Sequence, residues 1–182
     1  MNKARLEAFT DAVVAIIITI LVLELPKPES YTLASLLHHW PAYLSYAGTF
    51  IVILGVWFQH HNLFDRIENI NRKVFWANGL WLLIQSFIPF IGAWMSDYPN
   101  HSLPFVIFSF LNMFWALSYR LLYITLKEDN KLPNYSWLTT IGYLFTFVVL
   151  IVISLFQVQL AILSLIIIIV VVLLMDKDLE ID

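Results

Sequence analysis

The chain has 182 residues, of which 60% are hydrophobic and 13% charged, with a formal net charge of -3 and a mean hydropathy of +0.80. Soluble domains carry about 45–50% apolar and about 25% charged residues, so this composition reads as a polytopic membrane protein. No cysteine is present, which excludes disulfide frameworks, thiolate metal sites and thiol redox chemistry, and the slightly acidic balance does not suit a nucleic-acid surface.

A membrane-spanning helix needs about 20 largely apolar residues. Segments of that kind run from about Arg5 to Leu25, Pro41 to Phe64, Val74 to Trp94, Leu103 to Leu126, Tyr135 to Phe156 and Val158 to Met175. The expected fold is therefore an all-α bundle of six spans, with residues 1–182 forming one transmembrane domain that ends in a short acidic tail. No soluble domain, low-complexity tract or internal repeat interrupts it.

The first segment, RLEAFTDAVVAIIITILVLEL, is apolar yet carries Arg5, Asp11, Thr19 and Glu24. A charge inside a bilayer costs at least about 2.5–3.5 kcal/mol and usually faces a bundle interior or a water-filled path. Lys3 and Arg5 before an apolar run resemble a secretory signal, but no small-residue cleavage site follows and the run ends in Glu-Leu-Pro-Lys-Pro, so it is read as a retained span. Stepping about 100° per residue gathers Ala12, Ile16, Thr19, Ile20 and Leu23 on one stripe, with Thr10 and Asp11 elsewhere. One surface of the helix can bond to neighbouring helices, and the other, apolar with one hydroxyl, can face a symmetry axis.

Pro26 and Pro28 stop the first segment, Pro41 suits the first turn of the second, and Pro99 and Pro133 fall in connections. Trp40, Trp94, Tyr98, Tyr135 and Trp137 lie near segment ends, where amphipathic rings meet the membrane interface. Trp57, His60 and His61 close the second segment, Asn78 opens the third, and the loop between them, DRIENINRK, is short and mixed in charge. In the fourth, Asn112 reads as a packing amide and Arg120 as a charge snorkelling to the inner end. The boundary before the sixth rests on the short turn Gln157-Val158-Gln159, and one long helix across it is the competing reading. With the N-terminus inside, Lys3, Arg5, Arg66, Arg72, Lys73, Arg120, Lys127, Lys131 and Lys177 are cytoplasmic and only Lys27 of the 10 Lys and Arg is outside. This bias predicts cytoplasmic termini.

Arg5-x-x-x-Phe9-Thr10-Asp11 followed by Ala15-Ile16-x-x-Thr19-x-x-x-Leu23 resembles the signature first helix of the bacterial transmembrane protein 175 family, homologues of the endosomal and lysosomal potassium channel. Thr10 stands where the family usually has Ser, Ala12 where Gly is common and Ile20 where Leu is common. The resemblance continues through Trp57-x-x-His60-His61 and Asn78 to Pro89-Phe90. It implies six spans per subunit and a homotetramer in which the first helices surround a central pore.

On that reading Ile16, Thr19, Ile20 and Leu23 form the constriction, a hydrophobic gate that acts by dewetting; without it, branched apolar residues on such a helix face lipid or pack. No Thr-Val-Gly-Tyr-Gly loop occurs, so selectivity must come from side chains in the constriction. Glu24 is either an acidic ring at the pore mouth or a solvated end residue beside Lys27. Arg5, Phe9, Thr10, Asp11, Trp57, His60, His61 and Asn78 are read as a structural polar network, in which an imidazole or the indole donates to Asp11. A proton relay through Asp11 and His60 is the functional alternative.

The expected function is passive, potassium-preferring cation conduction in the inner cell membrane, with potassium as permeant ion, the bilayer and further copies of the chain as partners, and no resident cofactor or metal. No Gly-x-Ser-x-Gly, His-Glu-x-x-His or phosphate-loop pattern points to an enzyme. A secondary transporter or proton-coupled carrier using Asp11 and His60 is the rival reading, although matched broken helices in two halves are not evident.

Overall fold

In a computed structural model of the chain, the structure describes residues 2–175, with side chains to Ile169. Eight helices follow in order: α1 (Lys3–Leu23), α2 (Leu33–His38), α3 (Trp40–Asp65), α4 (Arg72–Gln85), α5 (Ile88–Asp97), α6 (Ser102–Asp129), α7 (Trp137–Phe156) and α8 (Val158–Met175). Five stretches are long and apolar enough to cross a membrane: α1, α3, Arg72–Asp97, α6 and α7; Val158–Ile169 is a shorter apolar helix. The chain is a multi-pass membrane protein.

Local chemistry sets the helix ends. Asn2 caps α1, its side chain accepting from the Ala4 N–H, and Glu24 closes it; the helix stops short of Leu25 because the residue before Pro26 is pushed toward extended backbone. Thr32 accepts from the Ser35 N–H to start α2, a short helix that its low apolar length had hidden. Pro41 occupies the first turn of α3, where a missing N–H is harmless. Asn71 caps α4 through the Val74 N–H at 3.0 Å.

The third segment, expected as one continuous helix over Val74–Trp94, is one crossing made of two helices. Pro89 has no N–H for the Gln85 carbonyl four residues back, and its ring crowds the preceding turn. The break falls at Ser86 and Phe87, where the Phe87 N–H shifts to the Ile84 carbonyl at 3.2 Å and the Ser86 hydroxyl donates to the Leu83 carbonyl at 2.7 Å. Freed backbone inside a membrane must find such substitutes. Pro104 lies within the first turn of α6 and leaves that helix unbroken.

The helices are arranged in succession. α1 packs on α3, α4 and α5; α6 packs on α4 and α5; α7 lies on α6 and α8 on α7. One apolar cluster joins Leu6, Phe64, Val74, Leu122 and Leu126 near one end. A second, built on Val14, Ile17, Ile53, Trp81, Ile88 and Trp115, fills the middle, and a third joins Phe105, Phe147, Leu150 and Ala161 between α6, α7 and α8. Arg120, expected to snorkel, is instead only 5% exposed: Trp137 and Tyr135 cover its guanidinium. Asn112 donates to the Phe108 carbonyl of its own helix at 2.9 Å.

α6 is 28 residues long, about 42 Å at 1.5 Å per residue, and so overruns a hydrocarbon core of about 30 Å. Its charged end reaches the connection between α3 and α4. Asn130 accepts from the Glu68 and Asn69 N–H groups at 3.0 Å each and donates to the carbonyls of Asn69 and Leu126 at 2.9 and 2.8 Å. Lys73 and Glu128 pair beside it at 2.6 Å. Asn130→Ala removes four bonds at one point; at about 0.5–1.5 kcal/mol for each net bond, the detergent-solubilised protein is expected to lose about 2 kcal/mol or more of stability. A melting temperature equal to that of the unaltered chain would show that the loop holds itself.

Candidate functional site: the first helix and its polar network

α1 has two faces. Leu6, Thr10, Val14, Ile17 and Leu21 are buried, a stripe of i, i+4 and i+3 steps turned into the subunit. Roughly 110° around the helix, counting 100° per residue, Ile16, Ile20 and Leu23 are 57%, 38% and 79% exposed, with Thr19 exposed among them. The structure thus sets the constriction candidates on one open stripe of the single subunit. The Thr19 hydroxyl donates to the Ile16 carbonyl at 2.8 Å, as a threonine in a membrane helix commonly does, which leaves its oxygen lone pairs unspent.

Behind this stripe a directed chain of hydrogen bonds ties three helices together. His60 Nε2 lies 2.9 Å from Asn78 Oδ1, Asn78 Nδ2 donates to Thr10 Oγ1 at 2.8 Å, and the Thr10 hydroxyl donates to the Leu6 carbonyl at 2.9 Å. Because the amide oxygen only accepts, Nε2 carries the proton. All three side chains are buried, where an unpaired polar group would cost about 1–3 kcal/mol. The imidazole is also clamped between two rings, 4.2 Å from Phe64 and 4.8 Å from Trp81, at 20° and 10° to their planes. Trp81 in turn stacks toward Trp115 of α6 at 6.5 Å.

A second, more open group joins α1 to α3. The Trp57 indole donates to Asp11 Oδ1 at 2.8 Å, Trp57 stacks on His61 at 5.6 Å, and His61 Nε2 lies 3.4 Å from Asp65. Of the two donors considered for Asp11, the indole is the one in place. Arg5 and Phe9 sit on the exposed side of α1 with no side-chain hydrogen bond among the described residues, so the expected network is two groups rather than one. Glu24, at the other end, lines a hollow of about 280 Å³ with Phe90, Ala93, Trp94 and Asp97.

Sequence reasoning passed over Trp81, Gln85 and Trp115. Gln85 is fully buried, and both its amide atoms, like the indole nitrogens of Trp81 and Trp115, have no partner among the described residues. Gln85 stands beside the helix break, so its only advance signal was a polar amide four residues before Pro89.

Comparison with known proteins places this arrangement. Residues 5–89 match the family described as endosomal/lysosomal potassium channel TMEM175. A potassium channel of Streptomyces collinus is 30% identical over 141 residues, covering 72% of this chain and 68% of that protein. The chain belongs to the TMEM175 family. A potassium channel of Chryseobacterium sp. is 44% identical over 95 residues, 52% of this chain and 50% of that protein, so the match spans about half the length of that relative. The crystal structure of a lysosomal potassium-selective channel TMEM175 homolog from Chamaesiphon minutus superposes with a TM-score of 0.79 at 27% identity, covering 96% of this chain and 98% of that one. TMEM175 is a family of ion channels, and the matched stretch of this member holds the whole of α1 from Arg5 onward and both polar groups.

The buried chain generates a direct expectation. Thr10→Val keeps the shape of the side chain but strands the Asn78 amide donor, so stability should fall by about 1–3 kcal/mol, or several degrees of melting temperature at about 2–4 °C per kcal/mol for a chain of this size. Thr10→Ser should stay near the parent. Equal melting of all three in a fluorescence size-exclusion thermal series would remove the bond from the list of stabilising contacts.

Proposed function

We propose that this TMEM175 member is a passive, potassium-preferring cation channel: a homotetramer in the inner cell membrane, with six spans per subunit, cytoplasmic termini and α1 lining a central pore. The observation that carries the reading is the division of labour on α1. One stripe is consumed by packing and bonding within the subunit, which leaves Ile16, Thr19, Ile20 and Leu23 aligned and uncovered on the other. Four copies of that stripe about an axis would make a narrow apolar constriction, which controls passage by dewetting. Thr19 supplies its one hydroxyl oxygen per subunit, and Glu24 sits where four carboxylates would raise the local cation concentration at the mouth. The potassium-channel names of the bacterial relatives and of the solved homolog support the same ion.

The test is electrical. Purified protein in planar bilayers should pass currents whose reversal potential follows the potassium gradient; no current, or flux locked to a proton gradient, would favour a carrier. Ile16→Asn or Leu23→Ser should raise conductance or weaken the preference for potassium over sodium by several-fold, and unchanged permeation in both would move the constriction elsewhere. The chain has no cysteine, so Ile16→Cys and Leu23→Cys can be probed without background: thiol reagents should block current, and oxidation should join subunits in pairs.

Asp11 is assigned a structural part. Asp11→Ala leaves the Trp57 indole without its acceptor, and the expected result is loss of the tetramer peak in native mass measurements. An intact tetramer that has lost only its response to pH would instead support the proton relay.

A further inference from the structure

Arg120 is the one arginine that the structure describes as buried, at 5% exposure, and among the described residues it has no acidic partner. Its Nη1 donates to the Thr140 hydroxyl at 2.9 Å and to the Ser136 carbonyl at 3.3 Å. Nε is buried with no partner among the described residues. The guanidinium carbon lies 3.4 Å from the ring centroid of Trp137 and 5.2 Å from that of Tyr135. The cation is thus held against the first turn of α7, whose cap residue Ser136 makes no side-chain capping bond. A helix start presents free N–H groups and the positive end of the helix dipole, so two positive features converge where a buried cation usually has an anion. Ring faces offset part of that charge and supply no acceptor oxygens.

We propose that Arg120, together with the opening turn of α7, binds the phosphate of an anionic phospholipid. The depth suits a headgroup, since Trp137 opens a membrane-crossing helix, and aromatic rings at such positions sit at the interface. The side of α7 that continues from the site is uncovered and apolar: Trp137, Leu138, Ile141 and Phe145 are 63%, 81%, 55% and 66% exposed, a path for an acyl chain. A guanidinium fork matches phosphate oxygens in geometry as well as in charge, and a zwitterionic headgroup would bring its own cation to the same place.

Native mass spectrometry of the full-length protein, delipidated and offered equal amounts of phosphatidylglycerol and phosphatidylcholine of one chain length, tests this. The expected preference for phosphatidylglycerol is about fivefold, the ratio that corresponds to about 1 kcal/mol per basic residue at an anionic surface. It should drop toward parity in Arg120→Gln and lie between in Arg120→Lys. Equal retention of the two lipids by the unaltered chain overturns the proposal and needs no variant to fold. A preference that survives Arg120→Gln takes the site away from this residue. Displacement of phosphatidylglycerol by millimolar inorganic phosphate, with the same gain in melting temperature, would assign the site to a free anion instead of a lipid. A preference that emerges only after Asp176→Asn, Asp178→Asn, Glu180→Gln and Asp182→Asn are combined would assign it to the chain's own acidic tail.

Discussion

The amide of Asn78 is the point on which the orientation of α1 depends. In lipid there is little hydrophobic drive between helices, so their relative rotation is set by packing and by interhelical hydrogen bonds. Asn78 of α4 donates to Thr10 of α1 and accepts a hydrogen bond from His60 of α3, and each partner is buried. Turning α1 by one residue would replace Thr10 in that position by Phe9 or Asp11, exchanging a small hydroxyl for a ring or a charge. The same rotation would carry the stripe of Ile16, Ile20 and Leu23 away from the open side. Three buried polar groups therefore determine which apolar residues the subunit leaves uncovered.

The stacking around His60 makes this arrangement stiff. Phe64 and Trp81 hold the imidazole between nearly parallel rings, and Trp115 continues the stack into α6. Aromatic pairs of this kind contribute about 0.5–1.5 kcal/mol beyond the area they bury. Through them α6, which does not carry α1's partners itself, supports the geometry of the helix that bears the constriction candidates. The break before Pro89 does not disturb this frame, because Ser86 supplies bonds on the near side and α5 resumes within two residues.

Much of this was legible in the sequence, for identifiable reasons. The two faces of α1 follow from helical geometry, and Thr10, Asp11, Trp57, His60 and Asn78 could be read as polar groups that need partners at their own depth, but not that they divide into two groups with His60 bonded to Asn78 instead of Asp11. What was not legible depends on segments distant in the chain. Arg120 has the position of a snorkelling residue until Trp137 and Tyr135, brought in by the next helix, close over it. Asn130 reads as an ordinary loop amide, yet its bonds run to Glu68 and Asn69 some sixty positions earlier. The break before Pro89 was not legible either, because a kinked helix and two separate helices share the same sequence around a proline.

The two polar groups also bear on whether protons move through this subunit. A relay needs neighbouring groups that each take up and release a proton. The path from His60 leads to an amide, which does neither, and then to a threonine hydroxyl that donates to the Leu6 carbonyl. Asp11, which could take part, is bonded on the other side by the Trp57 indole, a donor that does not titrate. The carboxylate and the imidazole are thus each satisfied by a partner that cannot pass a proton on, and no hydrogen bond joins them among the described residues. Side chains arranged in this way hold the helices in register, which favours the structural reading of both groups over the relay.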